Sequence, residues 1–78
     1  MPTLLRIGPY RFFFYSADRN EPPHVHVQRD DSEAKVWLEP LRMQYSVGFS
    51  RKERNKILNM VAAQQIKFLE MSNDFFIQ

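Results

Sequence analysis

The stretch of sequence that decides the fold is HVHVQRDDSEAKVWL, which occupies residues 24–38. Apolar and polar residues alternate in HVHVQR (residues 24–29) and again in EAKVWL (residues 33–38). Alternation with a period of two is typical of half-buried strands. The polar residues between the two segments, DDS at residues 30–32, favour a tight turn. The stretch therefore predicts an antiparallel β-hairpin.

The apolar residues of this hairpin indicate its register. With the turn at residues 31–32, or with a four-residue loop at residues 30–33, Val27 lies opposite Val36. A slip by one residue would set apolar residues opposite polar ones, so the clean separation of two faces favours this pairing. One face, expected to receive the helix, holds Val25, Val27, Ala34, Val36 and Leu38. The other, expected to look outward or toward another layer, holds His24, His26, Gln28, Lys35, Trp37 and Glu39, with His26 opposite Trp37 and His24 opposite Glu39.

Two more strands are predicted before the hairpin. Residues 3–7 form a short run that ends at Gly8-Pro9, and residues 10–15 (YRFFFY) are rich in aromatic side chains, which favour strands. A two-residue turn at Gly8-Pro9 would place Arg6 directly opposite Arg11. Like charges in that position destabilise a strand pair, so either the turn differs or an anion or a carboxylate lies there. Two solvated arginines that splay apart are the favoured interpretation.

A helix is predicted in the last third of the chain. Ser50 and Glu53 have the spacing of a capping box, in which the serine hydroxyl accepts from the amide three residues later and the glutamate reaches back to the cap. The helix is expected to run as one element from Arg51 to about Ser72, roughly 33 Å at 1.5 Å per residue. Residues 41–49 before it are either a fifth short strand or an ordered loop. The apolar face of the helix is predicted to consist of Ile57, Leu58, Val61, Ala62, Gln65, Phe68 and Leu69.

These elements together predict an α+β fold, with an antiparallel sheet of four or five strands packed on one long C-terminal helix. A chain of 78 residues is expected to form a single domain, residues 1–78. The absence of cysteine excludes a disulfide scaffold, a thiolate metal site and a cysteine nucleophile. No apolar run approaches 18 residues and the N-terminus lacks the apolar core of a signal peptide, so a soluble, cytoplasmic protein is expected.

His24 and His26 are the first candidates for chemistry. Residues two apart on a strand lie on the same face about 6.6 Å from each other. Imidazole is a good ligand for zinc, and in the register above Glu39 would be the third ligand. Two half-exposed histidines without a chemical role, one of them packed on Trp37, are the favoured interpretation, so neither a metal nor a cofactor is expected.

The same face carries the residue types of a metal-independent ribonuclease. In such an enzyme a base takes the proton of the 2′-hydroxyl group, and cations stabilise the crowded phosphorane. His24 or His26 would be the catalytic base here, with Arg11 and Lys35 as the cations. No spacing rule distinguishes this arrangement from a simple sheet surface.

The positive charge of the chain is local rather than strong overall. Eleven Lys and Arg stand against nine Asp and Glu, which leaves a net charge of +2. Four cations fall within residues 51–56, at the positive end of the predicted helix, where they favour an anion or form a solvated face that Glu53 partly compensates. Trp37 offers a ring on which a nucleobase could stack. The candidate residues for binding an anion or a nucleic acid are Arg6, Arg11, Lys35, Trp37, Arg51, Lys52, Arg54 and Lys56.

The chain ends on three large apolar residues, in DFFIQ at residues 74–78. Chain ends are usually polar and frayed. These residues either fold back onto the sheet or form a contact with a partner, which includes a second copy of the chain.

Four segments in a specific order resemble one protein family. MPTLLRIGPYRFFFYS at the N-terminus, then NEPPHVHV, EAKVWLEP and GFSRKE before a helix, are similar to the small bacterial family called domain of unknown function 4160. The resemblance runs from residue 2 to about residue 69. Where the family often has a tryptophan near the end of the helix, this chain has Met71 and Ser72. The positions that match the family pattern are Arg11, Phe12, Tyr15, Pro22, Pro23, His24, His26, Ala34, Lys35, Trp37, Leu38, Gly48, Phe49 and Glu53.

The resemblance implies a cellular setting rather than a reaction. Genes of this family often stand beside the gene of another small protein, an arrangement similar to toxin–antitoxin pairs. It implies a small cytoplasmic bacterial module that binds a protein partner encoded by a neighbouring gene, and RNA is the second class of partner expected. The alternatives are an enzyme, either a ribonuclease or a metal-dependent hydrolase that uses His24 and His26, and a purely structural interaction domain.

Overall fold

The structure is a computed structural model that describes residues 3–15 and 20–76. All neighbouring strands are antiparallel, and the sheet has the order β1-β2-β3-β4-β5. The α+β class is therefore confirmed, and the segment after the central hairpin is a fifth strand. The elements are β1 Thr3–Ile7, β2 Tyr10–Phe13, β3 His24–Arg29, β4 Ser32–Leu38, β5 Leu41–Val47, α1 Arg51–Ala63 and α2 Gln65–Phe76.

The first hairpin has the predicted register. Ile7 pairs with Tyr10 and Arg6 pairs with Arg11 across the turn. Gly8 has a φ of 56°, a conformation that glycine adopts without steric cost, and this allows so short a connection. The two arginines therefore lie directly opposite each other on neighbouring strands.

The central hairpin differs from the prediction by two residues. Val25 pairs with Val36 and Val27 with Ala34, because the turn lies one residue earlier, at Asp30 and Asp31. Asp30 has a φ of 53°, and aspartate is among the few residues other than glycine that enter this left-handed region readily. A shift of two residues keeps every side chain on its predicted face.

One consequence of this register is a correction to the predicted neighbours of the histidines. His24 pairs with Trp37 rather than with Glu39, and His26 pairs with Lys35 rather than with Trp37. Glu39 lies beyond the end of β4, where it is exposed and followed by a cis peptide bond to Pro40. The predicted three-residue metal site therefore loses its third ligand.

The prediction of one long helix was wrong, because the helix is interrupted at Gln64. The Gln64 amide donates to the carbonyl of Val61, three residues back, and α2 begins at the next residue. The side chain of Gln65 donates to the backbone carbonyl of Leu38, which holds the interruption against the end of β4. A straight helix of residues 51–76 would be about 39 Å long, longer than the 35 Å of the longest axis of the molecule.

The interruption also changes which residues face the sheet. Ile57, Val61 and Phe68 are fully buried, as predicted, but Ala62 is exposed. Leu58 and Leu69 are half-buried against the core. The predicted contact between the helical segment and the aliphatic face of the sheet is confirmed, since one buried cluster contains Phe12, Phe14, Val25, Val27, Val36, Leu38, Ile57, Val61 and Phe68.

Candidate functional site

The sheet face that points away from both helices, which we call the back face, carries most of the predicted site residues. Cross-strand pairing arranges its side chains in three rows. The first row is Arg6, Arg11, Gln28, Glu33 and Val47; the second is Phe13, His26, Lys35 and Tyr45; the third is His24, Trp37 and Arg42.

His24 and His26 are interior members of a ladder of rings on this face. They are only 1% and 4% exposed. The His26 ring stacks on Phe13 at a centroid distance of 5.5 Å, and the His24 ring meets His26 at 5.1 Å and Trp37 at 5.5 Å. One histidine packs on Trp37, as predicted, but it is His24 and not His26, which the predicted register set opposite Trp37. The expectation that the histidines are half-exposed was wrong. The reason is that Phe13 of β2 and Tyr15, just after it, pack their rings against His26.

The polar surroundings of the two histidine rings differ. The Nδ1 atom of His24 lies 2.9 Å from the carbonyl oxygen of Pro22, and because a carbonyl only accepts, Nδ1 is the donor. The carboxylate that approaches His26 is Glu33, with 3.9 Å between Nδ1 and Oε2. The hydroxyl of Tyr45 donates to the same carboxylate at 2.8 Å. The sequence did not indicate Glu33, because its approach to His26 depends on the register.

These rings are poorly placed for acid–base or metal chemistry. A general base must reach the proton that it abstracts, and little of either ring is open to solvent. Within residues 3–15 and 20–76 there is no group of three or more His, Cys, Asp or Glu side chains that could hold a metal ion. The two histidines therefore contribute to the packing of the back face.

Lys35 is also an interior residue of the back face. It is 7% exposed and forms an ion pair with Glu21 from the loop before β3. Its Nζ atom lies 4.8 Å from the centre of the Trp37 ring, a cation–π geometry. The charge of Lys35 is thus compensated by a carboxylate and a ring, which leaves little of it for an anionic ligand.

The two opposed arginines of the first row have different surroundings. The Arg11 guanidinium donates to Gln28 at 3.4 Å and lies 4.2 Å from the centre of the Phe13 ring. Arg6 is exposed and makes neither a hydrogen bond nor an ion pair with any residue that the structure describes. The guanidinium of Arg6 is therefore solvated and accessible to an anion.

A polar cluster ties the start of α1 to the sheet. Ser50 is the N-cap and accepts from the Glu53 amide at 3.1 Å, as the capping box predicts. The Glu53 carboxylate accepts from the Tyr10 hydroxyl at 3.0 Å and lies 2.8 Å from the Arg29 guanidinium. The roles of Tyr10 and Arg29 were not predicted, since they lie 43 and 24 residues away in the sequence.

The contacts of this cluster shift two pKa values. Partial burial of the Glu53 carboxylate by itself raises its pKa, but the Tyr10 hydroxyl, the Arg29 guanidinium and the Ser50 backbone amide outweigh it, so the pKa of Glu53 lies below its ordinary value of 4.5. Burial and the neighbouring Glu53 carboxylate raise the pKa of Tyr10 above 10.0. The folded state thus favours an ionised Glu53 beside a neutral Tyr10.

The lowered pKa of Glu53 predicts a loss of stability in acid. Its contribution is complete above the unfolded value of 4.5 and is lost as the pH falls through the folded value. We expect the Glu53→Gln variant to lose less stability than the native protein between about pH 7 and about pH 3, measured by urea unfolding. Glu70→Gln, at an exposed position on α2, is the matched control and should keep the native acid dependence. Equal acid dependence of Glu53→Gln and the native protein would contradict the prediction.

The fold brings two groups of cations to one end of the molecule, which we call the basic end. Because Glu53 bonds to Tyr10 and Arg29, which neighbour Arg11 and Gln28 but point to the helix side of the sheet, α1 begins at the same end of the sheet as the first row, on the opposite face. Seven of the ten cationic side chains and four of the eight acidic side chains in the described residues lie there. This end therefore has a net charge of +3 in a chain of net charge +2. The cations are Arg6, Arg11, Arg29, Arg51, Lys52, Arg54 and Lys56, and the acids are Asp30, Asp31, Glu33 and Glu53.

The cations of α1 are not equally available. Arg54 donates to the carbonyl of Phe49 at 3.2 Å, and the Lys56 Nζ atom lies 5.7 Å from the centre of the Tyr10 ring. Arg51 and Lys52 are exposed and make no hydrogen bond or ion pair with the described part of the chain. Arg6, Arg51 and Lys52 are consequently the cations that are best placed for an anionic ligand.

A shallow cleft lies at the opposite end of the back face, beside the third row. Its volume is about 190 Å³, and its wall is mostly apolar. Trp37 and two prolines form the apolar wall, and one acidic and one basic side chain complete the lining. The lining residues are Pro22, Trp37, Glu39, Pro40 and Arg42. Of these, Trp37 was predicted to bind a nucleobase, and Glu39 was considered only as a metal ligand.

Comparisons with known proteins give one match. A family model described as Domain of unknown function (DUF4160) matches residues 10–71. No curated protein and no solved structure matches the chain. None of the helices in the described residues is long and apolar enough to cross a membrane. The predictions about the side chains of residues 75–77 lie outside the part that the structure describes.

Proposed function

The chain belongs to the family of domain of unknown function 4160, and we propose that it binds single-stranded RNA through the basic end. In this proposal it is the RNA-binding component of a cytoplasmic, two-protein bacterial module of the toxin–antitoxin type.

The observation that carries the proposal is the convergence of the available cations. Arg6 belongs to the first hairpin, and Arg51 and Lys52 belong to the first turn of α1, but the Glu53 contacts bring both segments to one end of the sheet. Two features of this end lower the stability of the folded protein. Arg6 lies opposite Arg11 on the neighbouring strand, and cations lie at the positive end of a helix. Phosphate groups of a nucleic acid would relieve both repulsions, since free helix amides and cations favour anions.

The aromatic rings of the back face favour single-stranded over double-stranded nucleic acid. Tyr45 is 39% exposed in the second row of the back face, and Trp37 is half-buried in the third. Aromatic rings beside a basic surface are the recurring arrangement for single strands, because an unpaired base can stack on a ring. A rigid duplex would offer its phosphates to the cations but no free base to the rings.

The structure argues against catalysis by the histidines as the leading function. His24 and His26 are almost fully buried, and Lys35 is paired with Glu21. A ribonuclease that used these three residues would need to expose them. Binding requires only the residues that are exposed already.

A protein partner is the second candidate, and one surface favours it. Ile66 is 75% exposed and lies next to the exposed Ala62 and Ala63 at the interruption between the helices. Strand addition is a less suitable mode, because both edge strands contain a register irregularity, at Thr3/Leu5 in β1 and opposite Lys35/Val36 in β5. We therefore propose that the neighbouring gene's product binds the surface around Ile66 and that RNA binds the basic end.

The salt dependence of binding tests the RNA proposal. A fluorescent single-stranded RNA oligonucleotide should bind with a log–log salt slope of about −0.7 per phosphate contacted. Replacing Arg51 and Lys52 together with Ala should flatten the slope by about one to two units, and Arg6→Ala should flatten it by about one. Neither change should alter sequence preference, because phosphate contacts position a nucleic acid without reading its bases.

Lys67→Ala provides the control for general loss of charge. Lys67 is exposed on α2, away from the basic end, so this variant should keep the native slope. The Arg51 and Lys52 changes should not weaken the fold, since they remove cations from the positive end of a helix. Equal slopes for all variants, or no binding of RNA at low salt, would exclude the proposal and leave the protein partner as the leading candidate.

A further inference from the structure

We propose that the cleft beside Trp37 binds the guanine base of a nucleotide. The proposal rests on the proposed RNA-binding function only in the choice of a nucleotide as the ligand. Its residues lie at the end of the back face that is opposite the basic end. The carrying observation is an apolar cleft beside a tryptophan that holds two unpaired side chains of opposite charge.

The shape and chemistry of the cleft fit one planar ring system. Trp37, Pro22 and Pro40 give it flat, apolar walls, and the volume is about 190 Å³. Sites for drug-sized ligands and cofactors occupy about 300–1,000 Å³, so this cleft has room for one base rather than a dinucleotide. Stacking of a base on a tryptophan is a common source of affinity for single strands.

The charges at the cleft decide between ligands. Arg42 is the cross-strand partner of Trp37. Glu39 follows Trp37 by two residues and lies just beyond the end of β4. Both side chains are exposed, and neither makes a hydrogen bond or an ion pair with any residue that the structure describes. A ligand that satisfied both would need an anionic group for the guanidinium and N–H donors for the carboxylate.

A guanine nucleotide meets both requirements. An ionised carboxylate only accepts hydrogen bonds, and its two oxygens match two parallel donors. The Watson–Crick edge of guanine presents the N1–H and N2–H groups side by side, whereas adenine and cytosine present one amino group next to an acceptor and uracil presents a single N–H between two acceptors. The phosphate of the same nucleotide would lie toward Arg42. Glu39 is thus the residue expected to confer specificity, and Arg42 the residue expected to add affinity for every base.

The distance across the back face is compatible with one RNA strand reaching both ends. His24 in the third row and Gln28 in the first are four residues apart on β3, about 13 Å at 3.3 Å per residue. Stacked nucleotides advance about 3.4 Å along a strand, so a few nucleotides span the gap between the cleft and Arg11. The bases between them would pass over Tyr45.

The experiment uses the intrinsic fluorescence of Trp37, which is the single tryptophan of the chain and lines the cleft. The four nucleoside 5′-monophosphates are titrated with selective excitation of the indole. We expect saturable quenching by GMP at roughly 5- to 150-fold lower concentration than by AMP, CMP or UMP, the range that corresponds to one good bidentate contact of about 1–3 kcal/mol.

Two exposed positions test the roles of the charges without altering the core. Glu39→Gln should remove the preference for GMP. Arg42→Ala should weaken the binding of all four nucleotides alike, and it should leave the binding of guanosine, which lacks a phosphate, unchanged. Glu70→Gln and Lys67→Ala are exposed controls of the same charge types on α2 and should behave as the native protein.

Three results would overturn the inference. They are no quenching by GMP at millimolar concentration, equal quenching by all four nucleotides, and quenching by a proline-rich peptide but not by nucleotides, which would make the cleft a peptide site. These outcomes are independent of the salt titration at the basic end. If GMP quenches but the Arg51 and Lys52 variant keeps its salt slope, the inference stands and the proposed path of RNA over the basic end fails. In the opposite case the RNA function stands without a guanine site.

Discussion

Val27→Asp is expected to abolish folding of the domain. Val27 is fully buried, lies opposite Ala34 and belongs to the cluster between sheet and helices. An isolated carboxylate in that position would have no partner for its charge, which costs several kcal/mol. Since small domains are stable by only about 5–15 kcal/mol, we expect the variant to lack the circular dichroism and the cooperative urea transition of the native protein.

The neighbouring position supplies the control for this substitution. Gln28→Asp introduces the same side chain one residue further along β3, on the back face, where Arg11 donates to the present side chain. Because a solvated carboxylate beside a cation carries little cost, this variant should fold with a urea midpoint close to the native one. A folded Val27→Asp protein, or an unfolded Gln28→Asp protein, would mean that the two faces of β3 are assigned the wrong way round.

Phe68→Ala should have the second largest effect, a destabilisation of about 3–5 kcal/mol. The Phe68 ring is fully buried and packs on Phe12 with 5.4 Å between the ring centres, so its removal leaves a cavity between α2 and the sheet. The loss is comparable with the whole stability expected for a domain of this size. Thermal and urea unfolding would measure it as a large drop in Tm and in the urea midpoint.

Ile66→Ala, two residues away, is the matched control. Ile66 is 75% exposed, and surface substitutions usually change stability by no more than about 0.5 kcal/mol. The pair of variants tests the orientation of α2, which depends on the interruption at Gln64. If Ile66→Ala were as costly as Phe68→Ala, α2 would have to be rotated from the position that the structure shows.

Much of the fold could be predicted because it depends on local patterns. Alternation with a period of two identified β3 and β4, and Gly8 made the first turn recognisable. The spacing of Ser50 and Glu53 identified the start of α1. These signals are independent of what lies across the sheet, and each agrees with the structure.

The candidate site was predicted less completely, since its properties depend on residues distant in sequence. The burial of His24 and His26 requires the rings of β2 and the loop before β3, and the neutralisation of Lys35 requires Glu21. The cleft was not predicted at all, because residues 41–49 were left open between a strand and a loop, and Arg42 lies beside Trp37 only where β5 pairs with β4. A pattern of strands shows which face a residue occupies, but it does not show what covers that face.

The sequence by itself determined the two faces of the sheet, the cap of α1 and the pairing of Arg6 with Arg11. A side-chain period of two and the short reach of a cap or a two-residue turn leave few alternatives at these places. Only the tertiary structure decided the turn at Asp30, the interruption at Gln64 and the partners of Glu53. Turns shifted by one residue give the same faces, so local pattern cannot choose between them, and the side-chain contacts of Gln65 and Glu53 join segments more than twenty residues apart. The basic end exists for the same reason: long-range hydrogen bonds to Glu53, rather than sequence proximity, place the start of α1 at the end of the sheet that carries the first row.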